Sequence, residues 1–168
     1  MELLGQINDR EILYLKFRGE QNSFENLPTE NWLAVPIGQD KNVELYSRLA
    51  NKCIDNNVSF MCALGQSGEL IHDIFDEEVV PRKIAGGESI GTEGDFEDSP
   101  ITTWHFNFSE GFWFALTSAY DDDKKIDKVV CIDLTSKGVK NHLRYLIGKI
   151  QTGWFPSDQK IEEPRFDS

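Results

Sequence analysis

The sequence predicts an α/β fold: a three-layer sandwich around a mainly parallel sheet of four core strands, with a further antiparallel strand added at the edge. Three observations carry that expectation. From Trp32 onward, short apolar runs alternate with amphipathic stretches, the pattern of repeated strand-then-helix units. Runs such as 58–64 are apolar nearly throughout, as strands covered on both faces are. Between the runs stand glycine, proline and short polar side chains that start and stop helices.

Taken in order, residues 11–18 alternate Ile12, Tyr14 and Lys16 against Leu13, Leu15 and Phe17, which fits the antiparallel edge strand. The first core strand is the run from Trp32 to Ile37. After Gly38 and Gln39, Asp40 is placed to cap a helix whose inward side carries Val43, Tyr46, Leu49, Ala50, Cys53 and Ile54. The second strand, 58–64, leads through Gly65-Gln66-Ser67-Gly68 into a helix with Leu70, Ile71, Ile74, Phe75 and Val79 inward; Ser67 is its expected cap and Pro81 its expected stop. The third strand, 101–108, is rich in β-branched and aromatic residues, and Ser109 would cap a helix through Phe112, Trp113, Leu116 and Tyr120. The fourth, 128–134, passes by Thr135-Ser136 into a helix with Val139, Leu143, Leu146, Ile147 and Ile150 inward, ended by Gly153.

The whole of 1–168 reads as one α/β domain, with apolar material for one continuous core in 39% hydrophobic and 11% aromatic residues. Residues 85–100 hold four glycines and five acidic residues and are expected to form an exposed, mobile loop. Residues 156–168 are polar enough to be loosely held. No apolar run is long enough to cross a bilayer, and the start lacks the basic region and apolar stretch of a secretion signal, so a cytoplasmic location is expected. Cys53, Cys62 and Cys131 are odd in number and sit among apolar neighbours, as buried free thiols do. His72, His105 and His142 lie far apart, so neither a metal centre nor a cofactor is expected.

Seventeen Lys and Arg against 29 Asp and Glu give a formal charge of -12. That field repels nucleic-acid backbones and anionic membranes and speeds encounter with a basic protein. The expected steering residues are Asp95, Glu97 and Asp98 in the acidic loop and Asp121, Asp122 and Asp123 before Lys124, with Trp154 as an aromatic anchor. Trp104, Phe112, Trp113 and Phe114 are expected to fill the core.

Parallel strands send their following loops to one edge of the sheet, where open α/β sheets bind ligands. Ser67, His105 and Asp133 fall there, and they are the residue types of a nucleophile, a base and an orienter; this is the alternative reading, a small hydrolase. The Gly65–Gly68 turn could instead cradle a nucleotide phosphate at a helix N-terminus, although no phosphate-binding glycine motif is present. His72, Asp73, Asp76, Glu77 and Glu78 share one helix and read as a solvated acidic face rather than a cation site.

Thr102-Thr103-Trp104-His105, followed by Glu110-Gly111-Phe112-Trp113-Phe114-Ala115-Leu116, an acidic loop and a strand at 129–134, resembles a small uncharacterised bacterial α/β domain family. The resemblance implies bacterial origin and a compact α/β domain, and it transfers no site residue. In size and acidity the chain is also similar to bacterial immunity proteins, which neutralise toxins. That similarity implies an acidic protein-binding module whose partner is a basic toxin.

Overall fold

The computed structural model describes residues 1–17, 24–85, 99–157 and 160–168. Of the expected acidic loop, residues 86–98, with Asp95, Glu97 and Asp98, lie outside the described residues. Ten elements follow one another: β1 (Glu2–Ile7), β2 (Arg10–Lys16), β3 (Trp32–Gly38), α1 (Val43–Asp55), β4 (Phe60–Gly65), α2 (Gly68–Ala85), β5 (Ile101–His105), α3 (Phe108–Thr117), β6 (Lys128–Asp133) and α4 (Lys140–Gln151). The six strands form one sheet in the order β1-β2-β6-β3-β4-β5, parallel from β2 to β5 with β1 antiparallel at the edge.

The predicted architecture is present, with one reassignment. The 11–18 run is not the antiparallel edge strand: β2 lies inside the sheet, parallel to β6, and the antiparallel edge is β1. β1 turns back into β2 through Asn8 and Asp9, both at positive φ (49° and 63°), a two-residue turn that suits asparagine and aspartate. β2 looks like an edge because its two faces are unequally covered. Ile12 and Tyr14 are buried, while Leu13 and Leu15 are partly buried beside Phe17, whose ring stacks on Phe24. Lys16 is tolerated in an interior strand because its register partner in β6 is Asp133.

Period-two alternation divides the sheet between two cores. Leu33, Val35 and Ile37 of β3, with Phe60, Cys62 and Leu64 of β4, face α3 and α4. Trp32, Ala34, Met61 and Ala63 face α1 and α2 on the other side. Two glycines allow the close approaches in this packing. A Cβ on Gly111 would overlap Leu64 and His105, so its absence lets α3 sit down on β4 and β5. Gly65 has φ +89° and a Cβ there would stand 2.5 Å from the Gly38 carbonyl.

Helix ends differ from the expected caps. Asn42, not Asp40, caps α1, its side chain accepting the Leu45 N–H at 3.1 Å. Pro81 does not stop α2, which runs to Ala85. The second half of α2 is held on α1 by Arg82, bonded to Asp55 and Asn51, and by Ser47 bonded to Glu78. The α3 and α4 N-termini are tied to the chain's own tail: the Ser109 hydroxyl donates to Glu162, and Asp167 accepts from the Lys140 and Asn141 N–H groups. Residues 160–168, part of the 156–168 tail, lie bonded across these two helix starts. Further bonds join Phe108 N–H to the Glu162 carbonyl and Asp167 N–H to the Gly138 carbonyl. Among the described residues, no helix is long and apolar enough to cross a membrane.

Candidate functional site

The strands β2, β6, β3, β4 and β5 all end at one edge, which therefore collects Lys16, Asp133, Gly38, Gly65 and His105. Most of this edge is spent on holding the fold. Asp133 is fully buried and its two carboxylate oxygens accept from five donors. Oδ2 takes the Tyr14 hydroxyl (2.6 Å) and the Val139 N–H (2.9 Å); Oδ1 takes Lys16 Nζ (3.2 Å), the Thr135 N–H (3.0 Å) and the Thr135 hydroxyl (2.7 Å). Its negative charge is thus paired with Lys16 and set at the start of α4, where the helix dipole favours it. Burial, and then the bond and charge of Asp133, push the Tyr14 hydroxyl above its usual range.

Ser67, His105 and Asp133 are not brought together as a triad. Register places Asp133, Ile37, Leu64 and His105 in one row across four neighbouring strands. At the usual strand spacing that separates His105 from Asp133 by about 14 Å, with two aliphatic side chains between. Ser67 belongs to the opposite face and donates its hydroxyl to the Asp40 carbonyl at 2.7 Å, where the Tyr46 hydroxyl also donates. It therefore neither caps α2 through its side chain nor meets a base. His105 packs on Phe114, ring centroids 4.9 Å apart, with Nδ1 3.8 Å from Glu110 and Nε2 buried without a hydrogen-bond partner among the described residues. Burial lowers its pKa, an effect partly opposed by Glu110. On α2, His72 and Asp76 both engage Thr102 of β5, tying that strand to the helix.

What remains open is the β4–β5 end. A cleft of about 300 Å³ is lined by Gly65, Gln66 and Glu69 on one side, Trp104, Phe106 and Phe108 along β5 and its turn, and Glu163 and Pro164 from the tail. Trp104 is 39% exposed and Phe106 75%, so the expectation of Trp104 as a core residue is corrected. Phe112 is buried as expected, with Trp113 and Phe114 packed partly against the same core. Trp104 escapes because the edge strand β5 turns it toward the start of α2, with no further strand among the described residues beyond to cover it.

The other expected contact residues sit at the amino end of the sheet. Asp121 accepts from the Asp123 and Lys124 N–H groups, leaving Asp122 and Asp123 exposed beside Tyr120, which is 66% exposed. A second cavity of about 460 Å³ there is lined by Glu30, Asn31, Asp123 and Lys125, among others. Trp154 is half-buried against the α3–α4 core with the Lys149 ammonium 3.7 Å from its ring centre, so its neighbour Phe155 is the more exposed aromatic. All three cysteines are buried, and burial pushes the Cys62 thiol up to about 12.

Comparison with known families places this arrangement. The family described as a domain of unknown function (DUF7684) matches residues 12–150, from β2 into the last turn of α4. The chain belongs to this family. The DUF7684 match covers every parallel strand and all four helices but not the β1 hairpin strand, and not the tail that supplies Glu163 and Pro164 to the cleft. Comparisons with curated proteins and with solved structures found no match.

Proposed function

We propose that this DUF7684 domain is an acidic protein-binding module that captures a basic protein, in the manner of a bacterial immunity protein acting on a basic toxin in the cytoplasm. One observation carries the reading. The side chains that could have done chemistry at the sheet edge, Ser67 and Asp133, are consumed by internal hydrogen bonds. Acidic residues, by contrast, face solvent: Asp122 and Asp123 beside the exposed Tyr120, and Glu69 and Glu163 beside Trp104 and Phe106. A formal charge of -12 accelerates encounter with a cation-rich surface, and exposed aromatic rings provide contacts that slow its release.

The test is affinity capture followed by kinetics with the purified partner. The partner should be basic, and its association rate should fall by about tenfold or more between low and physiological salt. Replacing Asp121, Asp122 and Asp123 together by asparagine should slow association and leave dissociation nearly unchanged. A partner that associates equally fast at every salt concentration refutes the reading.

A further inference from the structure

We infer that the cleft at the β4–β5 end receives one guanidinium or ammonium side chain of that basic partner, an arginine above all. This rests on the reading of the domain as a binder of basic protein. The cleft lining contains two carboxylates, Glu69 and Glu163, and no lysine, arginine or histidine. Among the described residues neither carboxylate has a hydrogen bond or an ion pair, in contrast to Glu162 next door, which is held by Ser109 and Lys160. Two unpaired anions facing one space of about 300 Å³ disfavour an anionic ligand there and attract a cation.

The walls select the kind of cation. Trp104 and Phe106 present aromatic surface to the same space, and an aromatic face attracts a cation held over it. A planar guanidinium can stack on a ring and still direct its N–H groups to a carboxylate, which a compact ammonium does less well. Gln66 adds an amide to the lining, and Gly65 leaves its part of the wall bare because that position tolerates no side chain. The volume is at the small end for a ligand pocket, so it suits a single side chain rather than a nucleotide.

The walls come from separate parts of the chain. Glu69 opens α2, the aromatics belong to β5 and the turn after it, and Glu163 comes from the tail. The tail is positioned by Asn107, whose side chain donates to the Lys160 carbonyl and accepts the Glu162 N–H, and by the Arg165 N–H donating to His142 Nδ1. The backbone that carries Glu163 is thus held in place before any partner arrives.

The experiment titrates the intact protein with acetyl-Gly-Arg-Gly-amide and, separately, with the same peptide carrying citrulline, which keeps the shape and removes the charge. The readout is the Trp104 indole N–H in two-dimensional NMR, assigned with Trp104→Phe. The arginine peptide should shift that signal saturably, bind about tenfold more tightly than the citrulline peptide, and lose about fivefold or more in the Glu69→Gln/Glu163→Gln variant. Both substitutions are at surface positions, and an unchanged melting temperature verifies the fold. Equal binding of the two peptides, or no Trp104 shift, overturns the inference. The two proposals fail separately. Salt-sensitive capture of a partner that the Glu69→Gln/Glu163→Gln variant binds as tightly as wild type overturns the cleft alone, whereas arginine-selective shifts with salt-insensitive capture uphold the cleft and refute steering.

Discussion

Replacing Asp133 by alanine separates a structural carboxylate from a catalytic one. The change removes the acceptor for the Tyr14 hydroxyl, the Lys16 ammonium, the Thr135 N–H and hydroxyl, and the Val139 N–H. Lys16, with a side chain 21% exposed, can turn toward water, but the groups at Thr135 and Val139 are buried and keep no replacement acceptor. Breaking a buried, hydrogen-bonded ion pair from one side costs about 3–5 kcal/mol. At about 2–4 °C per kcal/mol for a chain of this length, the melting temperature should fall by about 6–20 °C. Lys16→Met should cost less, about 1–2 kcal/mol, because the neutral bonds to Asp133 survive. Urea denaturation followed by circular dichroism measures both, and the double variant gives their coupling. A loss below about 1 kcal/mol for Asp133→Ala would refute the assignment of this carboxylate to the fold and reopen a role in chemistry.

Two further outcomes follow from the packing. His142 is 4% exposed, stacks on Phe108, and accepts the Arg165 N–H; burial first, and then the Arg165 charge, lower its pKa to about 4. The unfolded chain takes up that proton near pH 6.5, so stability is full above about pH 6.5 and falls as pH drops toward 4, by up to about 3 kcal/mol. Denaturation midpoints at pH 4.5, 5.5 and 6.5 should show this slope and His142→Phe should flatten it; an identical slope in the variant would assign it elsewhere. Gly111→Ala should destabilise by about 1–2 kcal/mol despite the better helix propensity of alanine, since the new methyl group meets Leu64 and His105; a stabilised variant would show that α3 can move off the sheet freely.

The elements from β3 to α4 were legible because each is set by local pattern: apolar runs near 58–64 and 128–134 became β4 and β6 with ends moved by a residue or two. What local pattern does not encode is neighbourhood. β2 pairs with β6, more than a hundred residues away, and nothing in 11–18 announces that partner or its direction. β1 did carry a signal, the Asn8-Asp9 turn between two strand-like stretches, which suits a two-residue hairpin. The site divides similarly. That Ser67, His105 and Asp133 gather at one edge follows from parallel strands, but which of them are adjacent depends on strand order, and β3 and β4 stand between the last two. Trp104 was hidden for the same reason, since its exposure follows from β5 being the edge strand, and Phe106 because it lies in the turn just after that strand.

The tail holds two jobs at once, tying down the starts of two helices and supplying part of the cleft wall. Glu162, Glu163, Pro164 and Asp167 all lie beyond the 12–150 segment that the family model matches, whereas Glu69, Trp104 and Phe106 of the same cleft lie within it. Substitution at Glu163 or Pro164 can thus change the charge and shape of the cleft without disturbing a single strand pairing, provided that Glu162 and Asp167 keep their hold on the helix starts.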